Sequence, residues 1–412
     1  MMENSTVLDR VVVINDFSIA RGGATALALL SAFGLAQRGV PVTYLCGDAA
    51  SNADFPSHGI EAIGLGHKAL LESESSAAVR GLYNLDAARL LAQWIEQHDT
   101  SSTMYHLHNW AHILSPAIFG PLKSVKGRVV LSTHDFFLTC PNGAYMNYPR
   151  GTPCALRPLS SSCLLANCDK RNYAHKSWRV LRQAFRESIY HLREQQPKIL
   201  VLHGGMRSYL ERGGVPANCI DVLLNPITPF TEQRIQVEGN REFLFVGRLD
   251  YEKGADLAAA AAREANVPLQ IVGDGPLRAT LEAQYPEMTF HGFLSKASIR
   301  ELAVAARALV MPTRYPEPFG LSAVEALWSG LPVVLPKSSF LAPEVDALGA
   351  GILFDAGDQP GLARAMRHIA DDVDHARGMS EIAFTQTRAL ANTPESWIVK
   401  LHEQYCRMID RH

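Results

Sequence analysis

Two glutamates, Glu317 and Glu325, stand eight residues apart in the run RYPEPFGLSAVEALWSG, on either side of Gly320. Acids favour helix N-termini on electrostatic grounds, so a solvated helix start would account for them. The alternative is that both accept hydrogen bonds from ligand hydroxyls, Glu317 from the loop and Glu325 from the first turns of the helix. The amides of Phe319, Gly320 and Leu321 open that helix and could meet a phosphate or a sugar hydroxyl. Upstream, GRLDYEKG sets two cations, Arg248 and Lys253, between a strand end and the next helix. Cations beside exposed helix amides make a diphosphate site, although two solvated loop charges would read the same way. In GDGP, Gly273 and Gly275 would let a flat ligand approach the backbone, and the GxGxxG spacing of a nicotinamide site is missing. Acids facing neutral diols beside cations facing phosphates fit a nucleotide-sugar.

The elements that must position these groups alternate along the chain. VVVIN (residues 11–15), PVTYLC, TMYHLH, RVVLST and KILVLH read as strands, most of them separated by helical patterns. Around LLNPITPF (223–230) prolines break the pattern, which suggests an interdomain linker. The alternation then restarts with EFLFVG, PLQIVG, MTFHG, ALVMP and PVVLP. Strands alternating with helices predict parallel sheets covered on both faces. The expected fold class is therefore α/β, with two Rossmann-like doubly wound domains. Ligands of such sheets bind beyond the carboxyl ends of the strands, which is where the residues above fall.

A chain of 412 residues is long for one core, and two domains are the ordinary solution. A formal net charge of -2 gives no overall pull toward nucleic acid. The start, MMENSTVLDR, lacks the basic-then-apolar pattern of a signal peptide, and no apolar run approaches the ~18 residues of a membrane span. A cytoplasmic protein is expected.

GRLDYEKG, IVGDGP, HGFLS and the Glu-x7-Glu run EPFGLSAVE, in this order, resemble the retaining nucleotide-sugar glycosyltransferases of glycosyltransferase family 4, which have the GT-B fold. NDFSIARGGA looks like that family's glycine-rich first loop, NPI like its interdomain segment, and PESWIVKLHEQY like its C-terminal crossing helix. The resemblance implies domains at 1–225 and 226–392 facing across a cleft, with a final helix at 393–412 packing back on the first domain. It implies sugar transfer with retention, from a UDP- or GDP-sugar to a saccharide or lipid-linked acceptor in surface polysaccharide or lipopolysaccharide assembly. Arg248 and Lys253 would neutralise the leaving diphosphate, Glu325 would hold the ribose, and Glu317 would hold the sugar. Gly22 and Gly23 would let the first loop close on the substrates. His134 would lie near the transferred sugar, with Asp135 orienting its ring. Base contacts would be largely backbone, around Gly273, Gly275 and Phe293. No cofactor is required in this scheme. A nucleotide-sugar epimerase or hydrolase of the same fold, or an inactive scaffold, are the alternatives.

Two features lie outside that pattern. Cys140, Cys154, Cys163 and Cys168 crowd into 29 residues. Four thiolates could hold a structural zinc, but the spacings are not tight CxxC pairs, and reduced thiols packing a loop are the alternative. The following KSWRVLRQAFRESIYHLREQ places Trp178, Leu181, Phe185, Ile189 and Leu192 on one helical stripe beside several arginines. Such a stripe either faces a core or rests peripherally on an anionic membrane surface.

Overall fold

A computed structural model describes residues 8–72 and 77–410. The chain forms two compact units, one from the chain up to Pro149, Cys154–Leu223 and the chain from Pro394 onward, the other from Arg150–Pro153 and Leu224–Thr393.

The first unit is built on a seven-stranded sheet: β1 (Arg10–Asn15), β2 (Val42–Cys46), β3 (Glu61–Gly64), β4 (Thr103–Leu107), β5 (Val129–Thr133), β6 (Lys198–Val201) and β7 (Ile220–Val222). Its order is β3-β2-β1-β4-β5-β6-β7, with every pairing parallel. Every residue of β2, β4 and β5 is buried, as parallel strands covered on both faces must be. Edge strands β3 and β7 lack continuous apolar runs, which is why the sequence pattern passes over them.

The second unit carries a six-stranded parallel sheet: β8 (Glu242–Val246), β9 (Leu269–Val272), β10 (Thr289–Gly292), β11 (Ala306–Val310), β12 (Val333–Pro336) and β13 (Gly351–Phe354). Its order, β10-β9-β8-β11-β12-β13, reverses direction between β8 and β11. A doubly wound sheet binds ligands at such a switch point, beyond the carboxyl ends of the strands.

Five helices carry or flank the groups of interest: α1 (Gly23–Gln37), α2 (Tyr173–Ile189), α3 (Ala255–Ala265), α4 (Leu321–Trp328) and α5 (Pro394–Ile409). Among the described residues no helix is long and apolar enough to cross a membrane. Helix α2 departs from the simplest amphipathic expectation, because it turns its polar side inward. Lys176, Arg182, Gln183 and Arg186 are buried, whereas Leu181 and Phe185 are 47% and 38% exposed. The neighbouring segments explain the inversion by offering acceptors and aromatic faces. Arg182 donates to the Ala111 carbonyl at 2.8 Å and lies over the rings of Trp110, Phe137 and Trp178. Gln183 donates to the Leu138 carbonyl at 2.9 Å.

Candidate functional site

At the switch point of the second sheet, the loop after β8 and the loop after β11 meet through three side chains. Lys253 Nζ lies 2.6 Å from Glu317 Oε2 and 3.0 Å from the Tyr315 hydroxyl, and that hydroxyl donates to the same carboxylate oxygen at 2.8 Å. Burial alone would lower the Lys253 pKa, but the Glu317 carboxylate and Tyr315 outweigh it and hold the ammonium well above its ordinary range. A fixed cation thus sits where a ligand should bind. Arg314 anchors the β11 loop by donating to both carboxylate oxygens of Asp256 on α3, at 2.6 and 2.8 Å, and to the Tyr251 carbonyl.

Arg248 pairs with Asp250, yet its side chain stays 76% exposed, so most of its donors face outward. The Glu325 carboxylate on α4 has no hydrogen-bond partner among the described residues, and burial lifts its pKa to about 7, with Lys296 opposing. An uncommitted, half-desolvated carboxylate is a strong acceptor for neutral hydroxyls. Gly320, at φ 78°, occupies the left-handed N-cap position of α4, Phe319 is buried, and Leu321 is partly exposed. Phe293, 89% exposed, follows β10.

Gly273 has a packing purpose within the protein itself. A Cβ there would collide with the backbone carbonyl of Gly247, and one at Gly275 would lie 2.6 Å from the Leu249 carbonyl. Both glycines let the loop after β9 pack on the loop after β8, so they shape the site by bringing its own backbone segments together.

In the first unit His134 follows β5 and stacks on His108, with His108 Nδ1 and His134 Nε2 3.1 Å apart. Burial pushes the His134 pKa down to about 4, and that of His106 to about 3, so this row of imidazoles is neutral near pH 7. Asp135 does not orient the His134 ring as expected. Its carboxylate accepts from the Phe137 amide at 2.8 Å, and His108 holds the ring instead. Asp16, after β1, lies within NDFSIARGGA but is not among the residues that the sequence singles out. It accepts from the amides of His112, Ile113 and Leu114 at 2.8–2.9 Å, tying the β1 and β4 loops together. Gly22 and Gly23 lie exposed at the start of α1, with open space around a Cβ built at Gly22.

Residues 229–386, most of the second unit, match the family model for glycosyl transferases group 1. Over those residues the second unit is similar to group 1 glycosyltransferase domains. A 2-deoxystreptamine glucosyltransferase of Streptomyces kanamyceticus is 34% identical over 146 residues, 33% of this chain and 38% of that protein. The chain thus aligns with little more than a third of that curated relative. Among solved structures, a sucrose-phosphate synthase of Thermosynechococcus elongatus superposes with a TM-score of 0.71 at 18% identity, covering 98% of this chain and all of the other. HepE of Anabaena, solved with UDP-glucose, superposes with a TM-score of 0.63 at 15% identity, over 98% and 100% of the two chains. The architecture is that of GT-B glycosyltransferases, two α/β units with parallel sheets.

The second unit gathers Arg248, Lys253, Glu317 and the start of α4 around one switch point, and it adds Tyr315 to the residues singled out by sequence. Tyr315 had a signal, a polar aromatic two residues before Glu317 in the same loop. The four cysteines lie in the other unit, and a lysine takes the central position among them. Buried Lys176 reaches Cys168 Sγ at 3.1 Å and Cys163 Sγ at 3.6 Å, while Asn142 links Cys140 and Cys168. Cys154 is half-buried beside them. Among the described residues, the one group of three or more ligand atoms within 4.8 Å of one another is exposed His368, Asp372 and His375.

Proposed function

We propose that the chain is a retaining, metal-independent glycosyltransferase. It moves a hexose-type sugar from a UDP- or GDP-sugar to a saccharide or lipid-linked acceptor in surface polysaccharide or lipopolysaccharide assembly. The observation that carries this reading is the Lys253–Glu317–Tyr315 cluster at the switch point, beside the outward-facing Arg248. When the bond from sugar to diphosphate breaks, negative charge grows on the leaving group, and preorganised cations lower the barrier there. Arg248 and Lys253 supply that charge from side chains, which is why the scheme calls on no divalent ion. Glu317 holds Lys253 in place and accepts from sugar hydroxyls, and Glu325 accepts from the two ribose hydroxyls. Neutral His134 offers a hydrogen-bonding nitrogen to the transferred sugar.

The outward face of α2 supports the lipid-linked acceptor. Leu181, Phe185 and Tyr173 are exposed there beside Leu165, which is 79% exposed, and cationic Arg171. This apolar and cationic surface suits an anionic lipid bilayer. The reaction is tested by incubating the purified protein with UDP- and GDP-sugars and acceptor, and reading the product's anomeric configuration by NMR. Retention, with turnover unchanged by EDTA, is expected. Inversion, or loss of turnover in EDTA, would contradict the mechanism.

A further inference from the structure

The segment that carries the cysteines also walls a cavity that the sugar-transfer scheme does not use. Its volume is about 400 Å³, within the usual range for small-molecule sites, and it lies against the C-terminal half of α2. All its lining residues belong to the first unit, and three of them are arginines, Arg157, Arg186 and Arg193. The single acid in the lining is Glu187, which is already paired to Arg186 at 2.6 Å.

The donors of these arginines are incompletely used. Arg186 is 1% exposed, donates to the Tyr190 carbonyl at 3.2 Å, and keeps a buried Nε without a partner. Arg193 spends its Nε on the Gly214 carbonyl at 3.3 Å, which fixes the side chain on the cavity wall, and its terminal nitrogens have no partner among the described residues. The Arg157 guanidinium forms no hydrogen bond or ion pair among the described residues. A turn holds it at the rim, where Ser160 donates twice to the Arg157 carbonyl and Leu159 adopts a left-handed φ of 59°. Non-glycine residues rarely take that conformation, and it persists where the surroundings enforce it.

Lone surface arginines are usually solvated and carry no message. Three around one cavity, one of them fully buried and short of an acceptor, are different, because burying an unpaired guanidinium donor is costly. Arginine forks match the oxygens of phosphate groups, and a net excess of cations favours a multiply charged ligand over a single carboxylate. We infer that this cavity binds a small phosphorylated solute, at a site separate from the nucleotide-sugar site of the second unit.

Inorganic pyrophosphate is the probe, titrated calorimetrically into the full chain carrying Lys253→Ala to weaken the other diphosphate site. Saturable binding is expected, and adding Arg157→Ala and Arg193→Ala should weaken it at least about tenfold, the loss of two charge-assisted contacts. Both arginines are exposed, so the fold should hold, and an unchanged melting temperature without pyrophosphate checks this. In the wild-type chain the same pair of substitutions should remove one pyrophosphate per chain from the binding stoichiometry. Absence of binding in the Lys253→Ala protein, or binding indifferent to both arginines, would overturn the inference.

Discussion

Glu317 and Glu325 look equivalent in the sequence, yet their surroundings give them different chemistry. Glu317 is tied to a lysine and a tyrosine, whereas the Glu325 carboxylate has no partner among the described residues and is lifted to about 7 by burial. A raised carboxyl pKa means that the folded protein binds more protons than the unfolded chain between the ordinary carboxylate range and about 7. Stability therefore falls as pH rises through that window, and the penalty is complete above it. Glu325→Gln should remove the penalty, making the protein more stable by about 1–2 kcal/mol at pH 8 and nearly unchanged at pH 5, as thermal melts at the two pH values will show. A nucleotide diol hydrogen-bonded to the ionised carboxylate would lower that pKa, so nucleotide affinity should rise from pH 6 to 8 in the wild type and stay flat in Glu325→Gln. On the proposed mechanism Lys253→Ala should reduce kcat by roughly a hundredfold or more, since it removes a cation that neutralises the leaving diphosphate. Steady-state kinetics alongside a nucleotide titration would separate this from a binding defect. The charged residues of this site were legible because their types announce a ligand. Gly273 was legible as a special position, but its packing on the loop after β8 was not, because a glycine that admits a ligand and one that admits a neighbouring loop look alike in sequence.

Helix α2 shows where reading an element from its sequence reaches a limit. Its period and its stripe are evident in the sequence, but which side faces in depends on what the neighbours offer. Carbonyls, aromatic rings and cysteine sulfurs around Arg182, Gln183 and Lys176 reward burial of polar groups. Leu181→Ser with Phe185→Ser should therefore change stability by less than about 1 kcal/mol, since both side chains are already exposed. The same pair should reduce co-sedimentation with anionic lipid vesicles, and vesicle binding unaffected by it would sink the membrane assignment. The central strands were readable as continuous apolar runs, whereas edge strands β3 and β7 were not, because an edge strand needs no such run.

Over its full length, the chain ends by returning to its first unit. Trp397, Leu401, Tyr405 and Ile409 of α5 are buried, and Ile398 fills the space that a side chain at Gly34 of α1 would need. The Tyr405 hydroxyl lies 2.5 Å from Nδ1 of His106 in β4, so the final helix reaches the base of the histidine row. Removing residues 394–412 would expose those large apolar side chains and should leave the protein insoluble or poorly folded, as circular dichroism and expression of the truncated chain would reveal. The return was suggested by PESWIVKLHEQY, but the contacts with Gly34 and His106 were not, since pairings hundreds of residues apart leave no local pattern.

Side-chain cations held at the switch point of the second sheet would bind a nucleotide diphosphate without a metal. The melting temperature of the purified protein with UDP, GDP and ADP, each with and without EDTA and beside the Lys253→Ala variant, puts this to trial. At a hundred times its dissociation constant, a bound nucleotide adds about 2.7 kcal/mol of stability. UDP or GDP should raise the melting temperature, EDTA should leave the rise intact, and Lys253→Ala should abolish most of it. A rise lost in EDTA, or one indifferent to Lys253, would refute metal-free binding by these cations.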